Sequence, residues 1–96
     1  MKVVYHPAVQ KDVNAILQYY DRISNQLGDD FWTELIAHIE SASKKPERYH
    51  SVTAHLRRVN LRRFPYHILY RILPGGIRIT AVRHHRQHPK LKMRRR

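Results

Sequence analysis

The sequence predicts an α+β fold: an antiparallel helical hairpin packed on one face of a small twisted, mainly antiparallel sheet, in the order strand-helix-helix-strand-strand-strand. Three observations predict it. Apolar residues recur at helical spacing twice between Pro7 and Pro46, and each such stripe is one buried face of a helix. From Leu56 to Val82 they alternate at period two instead, the pattern of strands. Between two of those runs Leu73-Pro74-Gly75-Gly76 supplies a tight turn. A length of 96 residues allows one hydrophobic core, so a single domain is expected over residues 1–89, with 90–96 as a tail.

Each element has its own reason. Val3, Val4 and Tyr5 form a short first strand, which His6-Pro7 breaks; proline opens a helix well because its missing N–H would be unbonded there. Val9, Val13, Ile16, Leu17 and Tyr20 make the first stripe, with Lys11, Asp12, Gln18 and Asp21 off it. Ser24 to Gly28 reads as a turn, and Asp29-Asp30 as negative charge at the start of the second helix. Phe31, Leu35, Ile36, Ile39 and Ala42 make the second stripe, ended by Lys44-Lys45-Pro46. In the strands, Val59 and Leu61 face away from Arg58 and Asn60, and Ile68, Tyr70 and Ile72 away from His67, Leu69 and Arg71. In the last strand Ile77, Ile79 and Ala81 are expected on one face, and Arg78, Thr80, Val82 and His84 on the other. Phe31 and Trp32 are adjacent and cannot share one narrow stripe. Either the stripe is wide or Trp32 helps form a surface that a partner covers.

Charge separates the two halves. All seven carboxylates lie between Asp12 and Glu47, whereas five of the 19 Lys and Arg residues precede Arg48 and the remaining fourteen stand from it onward, for a net charge of +12. A half without acids attracts phosphate or acidic protein, so an anionic partner is expected. There are no cysteines, which excludes disulfides and thiolate zinc and suits a reducing cytoplasm. No apolar leader and no run of about 20 apolar residues is present, so a soluble, unprocessed cytoplasmic chain without membrane contact is expected.

The densest polar stretch is Arg83-His84-His85-Arg86-Gln87-His88-Pro89. A metal held by His84, His85 and His88 is disfavoured, because the flanking arginines repel a dication and no carboxylate offsets them; no metal or cofactor is expected. Histidines near neutral pKa are also the natural proton movers, so His84, His85 and His88 are candidates for acid and base. The remaining role is a cationic tip that contacts an acidic surface or phosphate, with His84 alternatively packing against Tyr66. The tail Lys90 to Arg96 carries five cations in seven residues.

Several segments together resemble a known group. Tyr19-Tyr20-Asp21, Leu27-Gly28-Asp29-Asp30-Phe31, the loop at Pro46-Glu47-Arg48, Leu61-Arg62-Arg63-Phe64-Pro65-Tyr66, Tyr70-Arg71-Ile72, and Ala81-Val82-Arg83-His84 followed by Arg86 and Pro89 resemble the RelE/ParE toxin superfamily of bacterial type II toxin–antitoxin modules. The resemblance covers nearly the whole chain and implies a toxin, of the plasmid-stabilising kind, neutralised by a cognate antitoxin through which alone promoter DNA is reached.

The superfamily splits into RelE-like ribosome-dependent mRNA nucleases and ParE-like inhibitors of DNA gyrase. For a nuclease, Arg62 and Arg86 would contact phosphate and His84, His85 or His88 would move protons. Against cutting, no carboxylate follows Glu47 to orient a histidine, no tyrosine follows Tyr70, and Arg57 and Arg58 stand where other members use a lysine pair; arginine stays protonated and is a poor base. The double tyrosine and the LRRFPY segment resemble the ParE-like branch. The expectation is a gyrase-binding, non-enzymatic toxin whose partner surface comprises Trp32, Arg57, Arg58, Arg62, Arg63, Arg83, His85 and Arg86. The alternatives are the ribosome-dependent nuclease and a non-toxic module that binds nucleic acid.

Overall fold

His6 starts the first helix with its own side chain. In the computed structural model, which describes residues 2–86, strand β1 (Lys2–Tyr5) leads into α1 (Ala8–Ile23). The His6 carbonyl accepts the Val9 N–H at 3.0 Å and its Nδ1 accepts the Ala8 N–H at 3.0 Å. Two otherwise orphaned amides are thereby satisfied. Val9, Val13, Ile16 and Tyr20 form the buried stripe of α1, as their spacing predicts.

The second helix, α2 (Asn25–Lys44), begins one residue after α1 ends. A turn over Ser24 to Gly28 is therefore corrected to the single extended residue Ser24, whose N–H donates to the Tyr20 carbonyl while its Oγ accepts the Leu27 N–H. The first bond is made by backbone alone, whereas the second needs a short hydroxyl that reaches the first turn of α2. Gly28 sits inside the helix, where a Cβ would lie 1.9 Å from Asp21 Oδ1 of α1. Here glycine allows close helix contact and marks no turn.

A short 3₁₀ turn (Pro46–Arg48) then leads to β2 (His50–Ser51), β3 (Arg57–Asn60), β4 (Tyr66–Leu73) and β5 (Gly76–His84). The turn and β2 carry no apolar period and were not predicted. The sheet order is β1-β5-β4-β3-β2, antiparallel except that β1 runs parallel to β5. Pro74 and Gly75, the latter at φ +77°, make the β4–β5 turn, the order a type II turn needs.

The last strand is corrected in one respect. Leu69 pairs with Ala81 and Tyr70 with Ile79, so Thr80 is an extra residue on β5. This bulge reverses the alternation beyond it. Val82 consequently joins Ile77 and Ile79 in the core beneath the helices, and Ala81 turns away with Leu69. Asp12 Oδ2 of α1 accepts the Val82 N–H at 3.2 Å beside the bulge.

Both helices cover one face of the sheet, and the core closes on Tyr20, Phe31, Phe64 and Tyr66, whose ring centroids lie 5.0–6.2 Å apart in mostly edge-to-face contacts. Such pairs add about 0.5–1.5 kcal/mol each beyond their buried area. The Phe31 end of α2 is tied to the β3–β4 loop by Glu34, whose carboxylate accepts the backbone N–H groups of Arg62 and Arg63.

Candidate functional site

The sheet's outer face, away from the helices, gathers cations by register alone. Paired residues point to one side, so Arg58 with Leu69 and Ala81, His67 with Arg83, and Arg71 with Arg78 share this face. At its β3–β4–β5 end, the His67 and His85 rings meet edge to edge, 7° from parallel with centroids 5.2 Å apart and Nδ1 atoms 2.9 Å apart. Arg58 Nη2 is 3.2 Å from the same His85 Nδ1, and Arg58 Nε donates to Asn60 Oδ1 at 2.7 Å.

That geometry fixes the tautomers. A guanidinium only donates, so His85 Nδ1 carries its lone pair and His67 must donate its Nδ1–H to it. Neither ring can gain a proton cheaply. Burial, followed by the charges of Arg58, His85, Arg83 and His84, pushes His67 down to about 3, and burial with Arg58 and His84 holds His85 below the usual histidine range.

The remaining predicted residues are dispersed. Arg57 faces the helix side, where its guanidinium donates to the carbonyls of Glu47 (3.1 Å) and Tyr49 (2.8 Å) and holds the segment before β3. Arg62 and Arg63 stand exposed on the β3–β4 loop beside a polar cleft lined by Asp30, Glu34, His38 and Tyr49; Arg63 pairs with Asp30 at 3.2 Å and lies over the Phe64 ring. Arg83 shares the outer face by register but is 1% exposed, so in this conformation it offers no contact surface. His84 packs edge-on against Tyr66 at 5.1 Å, on the helix side. Arg86 is exposed just past β5, its N–H on His84 Nδ1. His88 and the tail Lys90 to Arg96 lie outside the described residues. One continuous basic patch is thus replaced by an outer-face cluster and a separate loop pair.

Trp32, 49% exposed, belongs to a third surface. It lines an apolar cleft of about 440 Å³ between α1, α2 and the end of β1, with Tyr5, Val13, Leu17, Leu35 and Ile36. The adjacency of Phe31 and Trp32 is resolved here: Phe31 is wholly buried and Trp32 turns into the cleft.

A family model described as the ParE toxin of type II toxin–antitoxin system, parDE, matches residues 3–89, nearly all of the chain. The chain belongs to the ParE toxin family. A solved structure of the chromosomal ParDE toxin–antitoxin system from P. aeruginosa contains a chain of the same fold, with TM-score 0.75 at 15% identity, covering 88% of this chain and 95% of that one. No curated protein matches in sequence. The ParE match takes in both the apolar cleft and the outer-face cluster.

Sequence reasoning missed two parts of this arrangement. His67 looked like one alternating polar position, and only the hydrogen bond to His85 gives it a role. The Arg57 guanidinium looked like a free cation, but its partners are backbone carbonyls, which leave no trace in side-chain chemistry. Among the described residues no group of three or more His, Asp or Glu is placed to hold a metal, and no helix is long and apolar enough to cross a membrane.

Proposed function

We propose that this ParE-family toxin binds and inhibits DNA gyrase, and that a cognate antitoxin silences it. The observation that carries the reading is the dispersal, among the described residues, of the groups that cutting RNA would require. Cleavage through a 2′-OH needs a base, an acid and cations around one phosphate. Here Arg62 opens on the α2 cleft, His84 lies against Tyr66 on the helix side, and His85 is on the outer face against His67. His67, lowered to about 3 and buried, is a poor base at neutral pH. Among the described residues no carboxylate is bonded to either ring. What remains is a cationic body suited to gripping a target.

The similar solved structure is of a toxin–antitoxin system, and the same partnership is proposed for this chain. An amphipathic antitoxin segment, folding as it docks, would lay its apolar side in the Trp32 cleft. Promoter DNA would be reached only through that antitoxin. Induction of the chain in cells, with plasmid supercoiling and incorporation of labelled methionine followed together, tests the reading. Loss of negative supercoiling before any loss of translation is expected; arrested translation on normally supercoiled plasmid would refute it.

A further inference from the structure

The polar cleft beside the β3–β4 loop holds donors that the fold itself does not use. Its volume is about 520 Å³, within the range that takes a small ligand. One wall is the face of α2 that carries Asp30 and Glu34; the other is Arg48 and Tyr49, at and just past the 3₁₀ turn, with Arg62 and Arg63 of the loop. Both carboxylates are already engaged through both of their oxygens. Asp30 Oδ1 accepts from Gln26 Nε2 at 2.8 Å and Oδ2 pairs with Arg63 at 3.2 Å, while Glu34 takes the Arg62 and Arg63 backbone N–H groups, one on each oxygen. The guanidiniums of Arg48 and Arg62, in contrast, form no hydrogen bond or ion pair among the described residues. Each keeps its full fork of N–H donors, and both residues are exposed where they line the cleft. Donors therefore exceed free acceptors, and an acceptor-rich ligand completes the site.

We propose that this cleft binds a nucleotide unit, with Arg62 on its phosphate and the Arg48–Tyr49 pair against its base. Two features select that ligand. A phosphate presents charged oxygens in the geometry that an unpaired guanidinium fork matches. The Arg48 guanidinium also lies over the Tyr49 ring, 5.9 Å from its centroid, which makes a flat cationic wall of the kind that bases stack on. A peptide carboxylate would satisfy the guanidiniums but leave that wall uncovered. Free nucleotides and single nucleic-acid strands both offer the phosphate and the base together. The inference does not rest on the gyrase reading, because its assay measures occupancy of the cleft and not supercoiling.

The test is a titration of the isotope-labelled chain with adenosine monophosphate, with adenosine, and with a short single-stranded DNA oligonucleotide, at ionic strength held constant with chloride. The amide resonances of Tyr49 and Arg62 report occupancy. Saturable shifts are expected with the monophosphate or the oligonucleotide, at an affinity roughly tenfold or more above that for adenosine. Arg62→Gln should remove that preference, Arg48→Ala should weaken the phosphate-bearing probes by about tenfold, and Lys11→Gln, exposed on α1 and outside the cleft, should change neither. Whichever probe binds more tightly identifies a free nucleotide or a nucleic-acid strand as the source. Arg48 and Arg62 are both exposed, so each variant should keep the fold, and the dispersion of its amide spectrum checks that it does. Shifts that grow without saturation, adenosine binding as tightly as the monophosphate, equal weakening by Lys11→Gln, or saturation by a polyglutamate peptide but by neither phosphate-bearing probe would overturn the proposal.

Discussion

His67 couples proton binding to folding. In the unfolded chain it titrates near 6.5, and in the folded chain near 3. Between those values the unfolded state holds a proton that the folded state lacks, so stability is fully present above about 6.5 and is lost as pH falls, by up to about 1.4 kcal/mol per pH unit from this group. Denaturant unfolding at a series of pH values should show that slope, and His67→Gln should flatten it. Glu34 acts at the same scale. Its carboxylate takes the Arg62 and Arg63 N–H groups, so Glu34→Ala should cost about 1–3 kcal/mol and accelerate hydrogen exchange at those two amides while leaving the β4–β5 amides protected. Neither role is visible as a motif. A histidine at an alternating position and an acid on a helix surface acquire function only from what lies across the fold, 18 residues away for His67 and 28 for Glu34.

Among the elements, those defined by apolar period were legible. Both helix stripes, the β4–β5 hairpin and the inward face of β3 follow from side-chain spacing, since burial of one face is what organises them. What escaped were features made by backbone geometry: the single-residue hinge at Ser24, the two-residue β2, and the bulge at Thr80 that sends Val82 inward. The bulge shows how one extra residue reassigns a strand's faces with no change in composition. Glycine offers a direct test of packing at this scale. A Cβ on Gly76 would lie 2.1 Å from the Lys2 carbonyl oxygen, a backbone atom that cannot swing aside. Gly76→Ala should therefore displace β1 from β5, costing about 1–3 kcal/mol as overpacking does and exposing the amides of Val3 to Tyr5 to exchange. Gly28→Ala meets the far end of the Asp21 side chain instead, which can rotate, and should cost less than Gly76→Ala in the same denaturation assay.

For the whole molecule, two unlike surfaces stand apart. The apolar Trp32 cleft lies between the helices and β1, and the cationic cluster lies on the far side of the sheet. A toxin built this way can be held at one surface while the other remains chemically distinct. Trp32→Ala should leave the fold intact, since the ring is half-exposed, yet weaken antitoxin binding by about 2 kcal/mol, roughly thirtyfold in Kd, as loss of an aromatic anchor does. Calorimetric titration with the cognate antitoxin would check it. Under the proposed function the molecule grips its target and does not cut. Supercoiling of relaxed plasmid by purified gyrase, measured as the purified chain is added, tests it most directly. Inhibition that rises with toxin concentration and is reversed by the antitoxin is predicted; undiminished supercoiling at saturating toxin, with ribosome-bound mRNA cleaved by the same preparation, would contradict it.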